Sequence, residues 1–239
     1  GGGQAILDAL QTITNRPVTT IINTHTHFDH VGGNVEFPAT VEFVAQENTA
    51  ALMREMRPVT GGPPQPNLFQ EHGGHGLPTR TFKDRLTLGS GQERIDLYYF
   101  GPAHTSGDAW VVFPAQRVAH VGDVFGFKVV PLLDASNGAS GSSYPRTIAK
   151  AVAALKEDVD TVITGHYPQA LTMTDLQEYG EFTRELVDSV QAARTAGRTI
   201  DDFAQAWTMP PRYVRKGYVS MAHLRPLRAD VEVIWNETR

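Results

Sequence analysis

The chain has 239 residues, of which 41% are hydrophobic and 20% charged, and its formal net charge is −5. This length and composition predict one globular α/β domain over residues 1–239. The acidic balance, without a Lys/Arg stripe, argues against a nucleic-acid partner, and no apolar run approaches the roughly 18 residues of a membrane span. The absence of cysteine excludes disulfides and thiolate metal ligands.

The first half of the chain predicts alternating helices and strands. A helix is expected over residues 4–14, with Ile6, Leu10 and Ile13 on one face. The β-branched run 18–23 predicts a buried strand. Further elements are predicted in chain order: a strand at 41–45, a helix at 47–56, and strands at 87–88, 95–100, 109–113, 117–121 and 161–163.

Residues 58–78 are rich in proline and glycine and predict a long flexible loop. Two interpretations remain open for it. The loop either covers a functional site, with Leu68 and Phe69 contacting a substrate, or it is disordered.

The last part of the chain, residues 171–239, is predicted to be helical. Helices are expected over 175–193, 201–207 and 226–236, each with one apolar face. We interpret them as helices that pack against the core.

Four potential metal ligands follow the strand at 18–23: His25, His27, Asp29 and His30. Three imidazoles so close together repel one another when protonated, and their burial is costly unless a cation gathers them. Chance accumulation of histidines on a surface loop is the alternative. The clustering favours a metal site.

Three further candidate ligands each follow a predicted strand and a Gly-containing turn. They are His104, after Gly101 and Pro102, and then Asp123 and His166, each directly after a glycine. A single Gly-Asp pair usually marks only a turn. Because α/β proteins place their sites at the carboxyl ends of strands, the repeated pattern predicts one shared site.

This ordered set, His25-x-His27-x-Asp29-His30 and then His104, Asp123 and His166, resembles the metallo-β-lactamase superfamily of zinc hydrolases. The resemblance implies an αββα sandwich, here truncated at its N-terminus because the strands that usually precede the cluster are absent. It also implies two metal sites. The implied ligands are His25, His27 and His104 for the first metal, Asp29, His30 and His166 for the second, and Asp123 as the bridge.

The implied function is zinc-dependent hydrolysis, in which a metal-bridging hydroxide cleaves a small acyl substrate such as a lactam, lactone, ester or thioester. Imidazole and carboxylate ligands suit two Zn²⁺ per chain, with iron or manganese as the alternatives. Two other functions stay open: a mononuclear iron oxygenase of the same fold and a non-catalytic binding module.

Catalytic roles are predicted for three residues. Asp123 bridges the metals, Asp29 orients the nucleophile or relays a proton, and Tyr167 either donates a hydrogen bond to an oxyanion or simply packs. Lys128 and Asn137 are candidates to bind a substrate carboxylate, against the alternative of a solvated lysine and a turn asparagine.

The partner is predicted to be a small molecule, and an uncovered sheet edge would also favour homo-oligomers. Four histidines lie outside the ligand set. His120 is expected to pack behind Asp123, His72 and His75 to be exposed, and His223 to have a structural or surface role.

Overall fold

A computed structural model of the chain describes residues 2–220 and 226–237, so the expectation for His223 lies outside the described residues. The strands are β1 (Thr20–Asn23), β2 (Glu42–Gln46), β3 (Arg80–Phe82), β4 (Arg85–Leu88), β5 (Ile95–Tyr98), β6 (Trp110–Phe113), β7 (Val118–His120), β8 (Thr161–Ile163) and β9 (Leu171–Thr172). The helices are α1 (Gly2–Gln11), α2 (Phe28–Val31), α3 (Glu47–Glu55), α4 (Leu68–Glu71), α5 (Tyr144–Leu155), α6 (Met173–Thr195), α7 (Ile200–Ala206), α8 (Pro211–Val214) and α9 (Leu227–Glu237).

The strands form two sheets. One has the order β1-β2-β3 with parallel pairing, in which Ile22 lies opposite Val44. The other has the order β4-β5-β6-β7-β8-β9, and its first four strands form an antiparallel meander. β8 then pairs in parallel with β7, and α5 lies in the long connection that a parallel pair needs.

The two sheets pack face to face, and helices cover their outer faces. Val44 and Phe82 from the smaller sheet meet Leu97 and Val111 from the larger one in a buried cluster. On the outer faces, Phe43 packs with Leu7 of α1, and Trp110 and Val112 pack with α5 and α6. Successive strand residues point to opposite faces, which places neighbours such as Phe43 and Val44 in different layers. The predicted αββα sandwich is confirmed.

The packing face of α1 differs from the prediction. Ile6 and Ile13 are 52% and 79% exposed, whereas Leu7 packs on the smaller sheet. Gly3 is buried on the packing face, where a Cβ would lie 2.3 Å from the carbonyl oxygen of Gly33. The predicted Leu10 is half-buried, so the packing face is rotated from the one that the apolar spacing indicated, and the helix ends before Ile13.

The strand predicted at 18–23 begins at Thr20 and lies at one edge of the smaller sheet. Of its residues Thr20–Asn23, only Asn23 is fully buried. The prediction of a buried strand was therefore right about the strand and wrong about the extent of its burial, since an edge strand has a neighbour on one side only.

The Pro/Gly-rich segment 58–78 contains α4 and is anchored by Phe69. The Phe69 ring is 1% exposed and packs against Val31, Met53 and Met56. Phe69 is therefore a core residue, and both the expected substrate contact and the expected disorder are wrong at this position.

The two histidines of this segment differ in exposure. His72 is exposed, as predicted. His75 is half-buried, and its Nε2 lies 2.8 Å from the carbonyl oxygen of Phe37, so the expectation that it is solvated is wrong.

The C-terminal helices pack as predicted. In α6 the expected residues Leu176, Tyr179, Leu186 and Val190 are all buried. Capping boxes start both α6 and α7, where a threonine and an aspartate three residues later satisfy each other's backbone N–H groups. Within the described residues, no helix combines the length and the apolar character needed to cross a bilayer.

Candidate metal centre

All seven predicted ligands meet at the carboxyl ends of strands in the two sheets. His25, His27, Asp29 and His30 follow β1, His104 follows β5, Asp123 follows β7, and His166 follows β8. They form two groups of donor atoms, each with all members within 4.8 Å of one another: His25, His27, His104 and Asp123 in one, and Asp29, His30 and His166 in the other.

In the first group, each histidine is held by one ring nitrogen and turns the other inward. His27 Nε2 lies 2.7 Å from Asp134 Oδ2, and His104 Nδ1 lies 2.8 Å from the carbonyl oxygen of Leu132. An N–H donated to each of these acceptors leaves a lone pair on His27 Nδ1 and on His104 Nε2. These two atoms are 3.1 Å apart.

The third histidine of this group is held in the same way. His25 Nδ1 lies 3.1 Å from Thr24 Oγ1, and its buried Nε2 has no hydrogen-bond partner. Burial, followed by repulsion from the other imidazoles, lowers the pKa of His25, and burial lowers the pKa of His104 to about 4. Both rings are therefore neutral, which is the form that binds a metal ion.

Asp123 contacts both groups. Its Oδ2 lies 3.0 Å from His166 Nε2 and 3.7 Å from His104 Nε2, and its Oδ1 lies 3.5 Å from His30 Nε2. Burial disfavours the charged carboxylate, but the contacts with His166 and His30 outweigh it and hold the pKa of Asp123 below its usual range. The carboxylate is the physical link between the two donor groups.

The second group is more open to solvent. Asp29 Oδ2 lies 3.2 Å from His30 Nε2 and 3.4 Å from His166 Nε2. The side chains of Asp29 and His166 are 57% and 47% exposed, against 1% for His25. Burial lowers the pKa of His30, but Asp123 and Asp29 outweigh this and raise it to about 9, so protons compete with a cation on this side.

The donors fit a divalent cation. His27 Nδ1 and His104 Nε2 face each other as acceptors, and His25 Nε2 and Asp123 Oδ1 are buried without a hydrogen-bond partner. Such an arrangement is costly unless a positive charge satisfies the lone pairs. Nitrogen and carboxylate donors without thiolate suit zinc and its neighbours among the transition metals.

Two glycines allow the strand ends to come this close. A Cβ on Gly165 would lie 1.8 Å from Asp123 Oδ1, so no side chain fits there. Gly122 has φ +52°, a left-handed conformation that favours glycine, and a Cβ there would lie 3.0 Å from the side chain of Thr24. The Gly-ligand pairs of the sequence are thus a steric requirement of the site.

Asp134 supports the cluster and was not identified in the sequence. It is fully buried and accepts hydrogen bonds from the backbone N–H of Thr60 at 2.9 Å, the Thr60 hydroxyl at 2.7 Å and Asn137 Nδ2 at 2.5 Å. Burial disfavours its charge, but these donors and His27 hold the pKa of Asp134 below its usual range. Asp134 follows no strand-glycine pattern, so only the fold reveals its contact with His27.

The two predicted substrate ligands have other partners. Lys128 Nζ lies 2.7 Å from Asp175 Oδ1, and the side chain does not line the cavity beside the cluster. Asn137 is fully buried and holds Asp134. Each side chain is thus bound to an aspartate of the protein. Neither is free to bind a substrate carboxylate as predicted, and neither is the solvated residue of the alternative interpretation.

Tyr167 and His120 lie next to ligands in the sequence. The hydroxyl of Tyr167 donates to Gln169 Oε1 at 3.1 Å and its side chain is partly exposed, so its predicted role at an oxyanion stays a prediction. His120 Nδ1 accepts a hydrogen bond from the backbone N–H of Gly122 at 3.2 Å, which agrees with the expected packed position.

A cavity of about 470 Å³ opens beside the cluster. His104, Asp123 and His166 line one side of it, and residues from the C-terminal helices and from the segment after Asp123 line the rest. The sequence indicated only a packing role for those helices. Their contribution to the cavity depends on tertiary structure and carries no local signal.

Replacing Gly165 by alanine is expected to abolish stoichiometric metal binding, because the added methyl group displaces the Asp123 carboxylate. Elemental analysis of the purified variant measures this. Gly126→Ala is the matched control, since nothing lies within 4 Å of a Cβ at that position. Retention of the full metal content by Gly165→Ala would contradict the assignment of Asp123 as a ligand.

Replacing Asp134 by asparagine is expected to weaken metal binding about 10- to 100-fold, because His27 loses the carboxylate that fixes its tautomer and orientation. Competition with a chromophoric chelator measures the affinity. Asp158→Asn, at an exposed position in the turn after α5, is the control. An unchanged affinity in Asp134→Asn would show that this carboxylate does not position His27.

Comparison with known proteins identifies the family. The model of the metallo-beta-lactamase superfamily matches residues 1–166. The 2,4-dinitroanisole O-demethylase subunit alpha of Nocardioides sp. (strain JS1661) is 31% identical over 126 residues, which are 52% of this chain and 34% of that protein. The matched part thus spans about a third of the relative's length.

Solved structures share the fold at lower identity. The chain aligns with a metallo-beta-lactamase from Pontibacter korlensis at TM-score 0.58 and 22% identity, with 76% of each chain covered. It aligns with the DIM-1 metallo-beta-lactamase exposed to ceftazidime at TM-score 0.57 and 16% identity, covering 77% of this chain and 74% of that one.

A third structure matches nearly all of the present chain. The inverting sec-alkylsulfatase Pisa1 from Pseudomonas sp. has TM-score 0.70 and 15% identity, and the alignment covers 98% of this chain and 43% of that one. These likenesses concern the fold. Since the family model covers residues 1–166 of 239, the chain belongs to the metallo-beta-lactamase superfamily.

Proposed function

We propose that the chain is a zinc-dependent hydrolase that holds two ions and cleaves a small acyl substrate. The observation that carries the proposal is the position of Asp123, whose one carboxylate contacts both His104 and His166. The proposed ligands are His25, His27 and His104 for one ion and Asp29, His30 and His166 for the other, with Asp123 shared.

Bound divalent ions supply Lewis acidity and make water a nucleophile near neutral pH. The protein's own part is orientation. His27 and His104 are fixed through Asp134 and the carbonyl of Leu132, so their inward nitrogens stay in place without rearrangement. Preorganised donors of this kind avoid reorganisation during the reaction.

Asp29 is the proposed acid-base group. The side chain of Asp29 is the most exposed of the seven proposed ligands, and its Oδ2 contacts both His30 and His166. The water that attacks the acyl carbon would give up its proton to the Asp29 carboxylate, which passes it to the leaving heteroatom as the acyl–heteroatom bond breaks. The cavity lined by His104, Asp123 and His166 receives the substrate.

Lactams, lactones, esters and thioesters all remain within this proposal. A second candidate, cleavage of an aryl methyl ether, is favoured by the relative named as an O-demethylase subunit. The mononuclear iron oxygenase is less favoured, because such a site uses fewer ligands and here all seven donors converge. That convergence also disfavours a non-catalytic module.

The test is a panel of nitrocefin, a homoserine lactone, a thioester, a nitrophenyl ester and 2,4-dinitroanisole, assayed with zinc and with a chelator. Asp123→Ala is expected to lower the rate on any accepted substrate by about 10³-fold or more, because it removes several kcal/mol of metal-dependent stabilisation.

Asp160→Ala is the matched control, since Asp160 pairs with Arg117 on the surface. Near-full turnover and metal content in Asp123→Ala would refute the proposed site. Metal-dependent turnover of 2,4-dinitroanisole alone would favour the second candidate.

A further inference from the structure

The cavity beside the cluster is mostly apolar. Its volume of about 470 Å³ lies within the range of small-molecule sites in proteins. His104, Asp123 and His166 provide its reactive side, and aromatic and aliphatic side chains provide the other walls. An apolar cavity that opens onto a polar cluster suits a substrate with one reactive and one hydrophobic part.

The apolar walls of the cavity come from the segment after Asp123 and from the C-terminal helices. Phe127 belongs to the segment after Asp123, Trp207 and Met209 follow α7, and Leu227 begins α9. Trp207, Met209 and Leu227 pack against the main core yet remain only partly buried. Their remaining apolar surface lines the cavity, where a hydrophobic ligand would complete its burial.

The polar groups of the walls are already hydrogen-bonded or uncharged. Asp230 is buried, and its Oδ1 accepts a hydrogen bond from the backbone N–H of Leu133 at 2.9 Å. Burial raises the pKa of the Tyr179 hydroxyl well above its usual range, so this group stays protonated and uncharged. Among the described lining residues there is no lysine or arginine to attract an anionic substituent.

We propose that this cavity holds an uncharged alkyl or aryl group attached to the scissile bond, and that it selects such substrates over compact polar ones. The inference rests on the proposed function, since it places the scissile bond at His104, Asp123 and His166. Trp207, Met209 and Leu227 then determine which substituents fit.

Straight-chain carboxylates from acetate to octanoate test the inference, because they resemble the products of acyl hydrolysis. Affinity, measured by calorimetric titration, is expected to rise about fourfold with each added methylene until the cavity is filled. A flat dependence on chain length in the wild-type protein would overturn the inference.

The same titrations in chelator-treated protein separate the inference from the proposed function. The gain per methylene comes from the apolar walls and is expected to persist without metal, whereas the affinity for acetate is expected to fall. A persistent gain with no hydrolysis of any panel substrate would reject the function and keep the cavity as an apolar binding site.

Two substitutions in α7 provide the structural control. Ala204 lines the cavity, and Ala206 is exposed two residues later. Ala204→Phe is expected to fill the cavity and weaken octanoate binding at least about tenfold, the loss of two or more buried methylenes, with little change for acetate. Ala206→Phe is expected to behave as the wild type.

Thermal unfolding checks that both variants fold. If Ala204→Phe does not, Met209→Asp places a charge at another lining residue of the cavity and is expected to give the same selective loss. Equal octanoate affinity in the cavity variant and in Ala206→Phe would overturn the assignment of these walls.

Discussion

The contact of one carboxylate, Asp123, with two groups of donor atoms is the constraint on which the rest of the site depends. Its oxygens lie 3.0 Å from His166 Nε2 and 3.5 Å from His30 Nε2, and they also face the buried His104. Without a cation, this concentration of lone pairs and buried charge is unfavourable. The site is therefore best understood as a cage whose stability depends on what it binds.

The fold supplies the rigidity that such a cage needs. The ligands follow strands from both sheets, so the sandwich fixes their relative positions, and Gly165 allows its loop to contact Asp123 directly. Hydrogen bonds through Asp134 and the carbonyl of Leu132 then fix individual rings. Side chains that are already held in this way lose little conformational entropy when an ion binds.

The sequence predicted the seven converging residues because four of them cluster directly after one strand and the other three each follow a strand and a glycine-containing turn, a signal that is local in the chain. It did not predict Asp134, since the hydrogen bond to His27 joins positions 107 residues apart. For the same reason Lys128 and Asn137 were assigned to a substrate, whereas each is bound to an aspartate that only the tertiary structure brings near. Local patterns predict elements and the strand ends, but not the partners of polar side chains.

The buried faces of the helices were also predictable only where the sequence carries a local signal. The buried face of α6 was predicted correctly from its period, because a long helix has many residues to establish it. The face of the short α1 was predicted only in part, since the close approach of Gly3 to Gly33 carries no signal in the apolar spacing. Phe69 shows that a segment rich in proline and glycine can still be anchored by one buried aromatic ring.

Anomalous diffraction at the zinc edge from crystals of the zinc-loaded protein tests the central claim most directly. Two peaks per chain are expected. One would be bound by His25 Nε2, His27 Nδ1 and His104 Nε2, the other by Asp29, His30 and His166, and Asp123 would contact both. A single peak, or a peak bound through His27 Nε2 in place of Nδ1, would contradict it.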